Sequence, residues 1–164
     1  MYLHVQTFTD VSASRLEYDE HIAATVEWER RGSAARYYYR LVGRDVLVEI
    51  GVEPATHALC KLNVVTFSGL GTRPFPGGPI ISGLPVFDEH PEWTDAPAYV
   101  DAPAPVEIAF VDSSLVVTVE PIKQATTIYD AGRAMFACGP NQQVQAISVP
   151  LSGDHLDRLR LIAG

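Results

Sequence analysis

The chain has 164 residues, with 12 Lys and Arg against 20 Asp and Glu for a formal charge of −8, and 47% of it is hydrophobic against 20% charged. That length and apolar content suit one globular domain, residues 1–164, that buries a core without a disulfide or metal staple, and they exclude a disordered chain. The acidic balance argues against nucleic acid and anionic membrane as partners, because both are polyanions.

In chain order, residues 1–6 (Met1, Tyr2, Leu3, His4, Val5, Gln6) have no basic stretch followed by an apolar core, so no secretory signal is expected. Tyr2 to Phe8 is a candidate strand. From Leu16 the apolar side reads Leu16, Tyr18, Ile22, Ala24, Val26 and Trp28, a period of two that predicts one long half-buried strand. Arg30, Arg31, Gly32 and Ser33 make a polar turn. A second strand follows, with Ala35, Tyr37, Tyr39 and Leu41 on one face and Arg36, Tyr38 and Arg40 on the other. Glu27 and Glu29 are placed to neutralise those arginines across the ladder, which makes a nucleic-acid stripe there a poor reading. Val46, Val48, Ile50 and Val52 mark a third strand, and Leu59 to Phe67 a fourth. Residues 15–67 therefore predict an antiparallel meander.

Residues 68–105 break the pattern. Pro74, Pro76, Pro79, Pro85, Pro91, Pro97, Pro103 and Pro105 put eight prolines in 38 residues, which argues against regular elements. Phe75, Ile80, Ile81, Leu84, Phe87, Trp93 and Tyr99 in the same stretch are too apolar for a flexible linker. The expectation is a long, ordered, acidic loop packed over the sheet, and loops of that length are often functional. Alternation resumes at Val106–Val111, turns at Asp112-Ser113-Ser114, and continues at Leu115–Val119, Ala125–Tyr129, Ala134–Cys138 and Val144–Val149. Ser152 is a good N-cap for a short terminal helix with Leu156, Leu159 and Ile162 on its apolar side and Asp154 in its first turn. The expected fold is mainly β: about ten short antiparallel strands in a meander or sandwich, or a strongly curved, partly closed barrel, with a short C-terminal helix.

The charge is local. No Lys or Arg lies between Arg73 and Lys123, where Asp88, Glu89, Glu92, Asp95, Asp101, Glu107, Asp112 and Glu120 supply eight acids, and the remainder balances at 12 against 12. Cys60 and Cys138 have no CxxC or Cys/His spacing, which points to reduced, buried thiols and a cytoplasmic setting. Ser68, Ser82, Ser113 and Ser114 lie in no G-x-S-x-G elbow, and Gly69, Gly71, Gly77 and Gly78 precede no helix, so neither a nucleophile nor a phosphate cradle is indicated. No cofactor is expected.

The candidate binding residues are thus Asp88, Glu89, Glu92, Trp93, Asp95 and Asp101: carboxylates around an aromatic, the composition of an interface anchor. Trp93 has a structural reading as well, pinning the loop to the sheet. A metal site of Asp88, Glu89, His90 and Glu92 is a secondary alternative, hard oxygen ligands that lack EF-hand spacing. The leading functional expectation is a non-enzymatic binding protein whose acidic loop engages a basic protein, by analogy of charge and size with small acidic inhibitors and immunity proteins. The alternative is a small-molecule-binding barrel, or an enzyme built on one, with residues 68–105 as a lid on glycine hinges. Self-association through edge strands is a further expectation.

Overall fold

The structure, a computed structural model, describes residues 3–29, 36–68 and 70–163, and side chains as far as residue 161. Tyr2, the turn expected at residues 30–33, Ala35, Gly69 and the Ile162 side chain lie outside the described residues. The strands in chain order are β1 (Val5–Thr9), β2 (Ser14–Glu17), β3 (Ala24–Trp28), β4 (Tyr37–Gly43), β5 (Val46–Val52), β6 (Leu59–Thr66), β7 (Ile80–Ser82), β8 (Leu84–Phe87) and β9 (Ala98–Pro103). They continue as β10 (Glu107–Val111), β11 (Ser114–Thr118), β12 (Thr127–Asp130), β13 (Met135–Cys138) and β14 (Val144–Pro150), and a helix α1 (Gly153–Ala163) follows. The protein is mainly β with one short C-terminal helix. Among the described residues no helix is long and apolar enough to cross a membrane.

Two mixed six-stranded sheets form, in the orders β2-β3-β6-β5-β4-β9 and β10-β11-β14-β13-β12-β7, while β1 and β8 pair separately. The two large sheets share one connectivity. A hairpin (β2-β3 or β10-β11) is followed by a three-strand meander (β4-β5-β6 or β12-β13-β14) whose last strand lies beside the hairpin's second strand, a Greek-key order. Each meander's first strand is then flanked by a parallel strand: β9 on β4 and β7 on β12. The capping is crossed, since β7 follows the first unit in sequence but completes the second sheet, and β9 precedes the second unit but completes the first.

This order corrects three expectations. Residues 15–67 are not a simple meander, because β3 pairs with β6 rather than with β4. The long strand from Leu16 to Trp28 is a hairpin: Asp19 Oδ1 accepts hydrogen bonds from the amides of His21 (2.7 Å) and Ile22 (2.8 Å), closing a turn that period-two counting runs straight through. The Tyr2–Phe8 candidate appears as β1, paired with β8 instead of extending the meander.

Among the described residues no closed barrel forms, and the strands number fourteen rather than about ten. The physical reason lies in residues 68–105, which supply β7, β8 and β9 as short edge strands. Pro79 stands just before β7, Pro97 just before β9 and Pro103 at its end. A residue without an N–H limits a ladder, and prolines are tolerated on edges for that reason. Pro79, Pro97 and Pro103 therefore bound β7 and β9, Pro85 is accommodated within β8, and each large sheet ends at such a proline-flanked strand.

One hydrophobic cluster draws on both sheets, with Val48, Ile50, Leu62 and Val64 from the first and Leu115, Val117, Phe136 and Ile147 from the second. Trp28 on β3 ties them further, its Nε1 donating to the Ala131 carbonyl between β12 and β13 at 2.7 Å. A smaller cluster on the other face of the second sheet joins Ile128, Ala137 and Ala146 to Phe75 and Ile122. Local signals read from sequence are kept. Tyr39 and Leu41 are buried in β4, as period two requires. Asp112 and Ser113 both adopt positive φ (49° and 66°), the two-residue turn whose twist suits the β10-β11 hairpin. Ser152 Oγ accepts from the His155 amide (3.4 Å) at the start of α1, and Leu156 and Leu159 are buried.

Candidate functional site

The acidic segment is held to the first sheet by Trp93. Its indole is 3% exposed, lies parallel to the Tyr37 ring (centroids 5.6 Å apart, 9° between planes) and donates from Nε1 to the Tyr38 carbonyl at 3.2 Å. His57 and His90 approach the same indole at 6.0 and 5.9 Å. The preceding turn is closed locally: the Trp93 amide donates to the His90 carbonyl (2.9 Å) and the Glu92 amide to His90 Nδ1 (3.1 Å). Upstream, the Asp88 amide donates to the His4 carbonyl (3.0 Å) and that of Phe87 to the His57 carbonyl (3.0 Å). Residues 87–93 are thus an ordered ledge, and Trp93 acts from beneath it rather than from its surface.

Asp88, Glu89 and Glu92 on this ledge and Asp95 just after it are exposed and form no ion pair among the described residues. Asp101 differs. Its carboxylate takes a two-pronged ion pair from Arg40, Nη2 to Oδ2 at 3.0 Å, and that bond holds the guanidinium pKa above its ordinary value. Arg40 also lies 4.9 Å over the Tyr99 ring, which stacks on Tyr38 at 5.0 Å. Glu107 is likewise paired, with Arg73 at 2.9 Å. On the first sheet Arg36 meets Glu27 at 2.6 Å, but β3 and β4 are not neighbours and Arg40 turns to Asp101, so the expected pairing of both arginines across one ladder is met only by this single contact.

Asp88, Glu89 and Glu92 line an open cleft of about 700 Å³ with Leu3, His4 and Tyr39; Asp95 and Asp101 do not. The cleft adjoins a narrower cavity of about 260 Å³ through shared Leu3 and Tyr39, with Ile50, Val144, Ala104 and Glu120 among its walls. This second cavity lies between the sheets, Ile50 coming from one and Val144 from the other. Burial raises the Tyr39 phenol pKa above its ordinary value. Sequence reasoning missed Leu3, Tyr39 and Glu120, since nothing in the linear pattern brings the residue before β1, strand β4 and the segment after β11 together. The hydrophobic inward face of β4 was the sole available hint.

The metal alternative finds little support in the placement of its residues. Among the described residues no three His, Cys, Asp or Glu side chains converge as ligands do, and Asp88, Glu89, His90 and Glu92 spread along the ledge. The expected hinges are tethered. Gly71 donates to the Ile108 carbonyl (2.7 Å), Gly83 to that of Asp130 (3.0 Å), and the Gly77 carbonyl accepts from Ala125 (2.8 Å), so residues 71–83 run as a strap fixed along the second sheet. The Cys60 and Cys138 side chains are both buried. Comparison of the chain with known protein families and with curated proteins finds no match.

Proposed function

We propose that this chain is a binding protein that presents Asp88, Glu89, Glu92 and Asp95 to a basic protein partner. The observation that carries the reading is selective pairing. Within one acid-rich segment, Asp101 and Glu107 have arginine partners, whereas the ledge carboxylates stand exposed without a counter-cation among the described residues. Unneutralised charge of one sign attracts an oppositely charged partner and raises its association rate. The Trp93 anchor supports the same reading, because a ledge already ordered in the free protein loses little conformational entropy on binding.

The test is an association-rate measurement against a panel of basic proteins, with the variant D88N/E89Q/E92Q/D95N alongside. The native protein is expected to show an on-rate that falls steeply as salt rises through about 0.15 M, where the screening length is about 8 Å. The variant is expected to lose most of that rate while keeping its fold. Equal rates for the two proteins at low salt would overturn the reading.

A further inference from the structure

The cleft lined by the ledge carboxylates adjoins an apolar cavity, and the combination specifies more than a charge. The open cleft and the cavity beside it share Leu3 and Tyr39, and among the described residues no Lys or Arg lines either one, while Arg73 and Lys123 line the groove that adjoins the cavity at Glu120 and Pro121. Carboxylates line both: Asp88, Glu89 and Glu92 the cleft, and Glu120 the cavity, where its Oε2 accepts from Gln145 Nε2 at 3.5 Å. Between them the walls are apolar. The cavity, about 260 Å³, is smaller than the roughly 300–1,000 Å³ of drug-sized ligand sites. It suits one side chain rather than a whole cofactor.

We propose that this seam between the two sheets receives a basic segment of the partner, one bulky apolar residue entering the cavity while flanking lysines or arginines meet Asp88, Glu89 and Glu92 on one side and Glu120 on the other. The inference rests on the acidic-face reading and adds an anchor to it. Charge complementarity selects the occupant: an acidic seam free of lining cations repels acidic segments and, by desolvating its carboxylates, disfavours neutral ones. The apolar insert supplies the part of recognition that salt does not screen.

The probes are fluorescein-labelled peptides Lys-Arg-X-Lys-Arg with X as Gly, Leu or Phe, read by fluorescence anisotropy against the full chain. Leu or Phe at X is expected to bind about tenfold tighter than Gly, from burial of one apolar side chain, and to keep that advantage as salt rises. The variant A104F, which fills the cavity wall, is expected to abolish the difference between peptides, and E120Q to weaken all three. E120Q keeps the test decisive if A104F fails to fold. Equal binding of all three peptides by the native chain would overturn the anchor while leaving the acidic face standing. Binding of none would remove both. A preference for Leu or Phe that persists in folded A104F would place the anchor elsewhere and also overturn the inference.

Discussion

Replacing Trp93 tests whether the acidic ledge is built by its buried anchor. An indole of this burial hides about 150–250 Å², which at about 25 cal/mol per Å² corresponds to roughly 4–6 kcal/mol of transfer free energy. Large aromatic-to-alanine changes in cores cost about 3–5 kcal/mol. Trp93 lies between the first sheet and a loop that relaxes more readily than strands do, so the lower end, about 3 kcal/mol, is the expected cost of W93A. The conservative W93F keeps a ring over Tyr37 and loses mainly the donor to the Tyr38 carbonyl, worth about 1 kcal/mol. With a urea dependence of about 2 kcal/mol per molar, W93A lowers the midpoint by about 1.5 M and W93F by about 0.5 M. Urea titration by far-ultraviolet circular dichroism reads the midpoints, and amide exchange reads the ledge. Protection of residues 87–93 should collapse in W93A and persist in W93F. A midpoint within about 0.3 M of native for W93A, with unchanged exchange, would refute the anchoring argument.

Three further outcomes follow from particular contacts. D101N breaks the exposed pair with Arg40 and is expected to cost less than about 1 kcal/mol by thermal denaturation, without the loss of association rate produced by the ledge variant. W28F removes the 2.7 Å bond to the Ala131 carbonyl across the sheets; about 1–3 kcal/mol is expected from chemical denaturation, since a buried acceptor loses its donor. Burial pushes the Cys138 thiol from 9.0 up to about 12, so folded and unfolded chains are both protonated below pH 9 and only the unfolded chain ionises between 9 and 12. Stability is therefore expected to fall as pH rises through that window, by roughly 1.4 kcal/mol per unit at most from this thiol, and C138A should flatten the decline between pH 9 and 10, before the buried tyrosines contribute; an identical decline in C138A would contradict the assignment.

Sequence alone determined what depends on neighbours along the chain. Strand alternation in β4 and β5, the Asp112-Ser113 turn, the Ser152 cap and the local excess of acid are properties of a few adjacent residues, so they are legible in one dimension. The Asp19 turn was equally local and was missed, because its flanks happen to keep the period-two pattern. Tertiary structure decided everything that depends on pairing across distance. Greek-key order cannot be told from a meander by alternation, because either gives β3 through β6 the same buried faces. The duplicated connectivity was invisible, since two units of one topology need share only patterning, and the first strand of each meander is flanked by a segment lying between the units. Prolines that mark loops when read singly proved to be the boundaries of β7 and β9, an outcome fixed by which edge each strand meets. The same distinction separates the acids. Asp88 and Asp101 look alike in sequence, and only the parallel pairing of β9 with β4, which sets Asp101 opposite Arg40, neutralises one and leaves the other free.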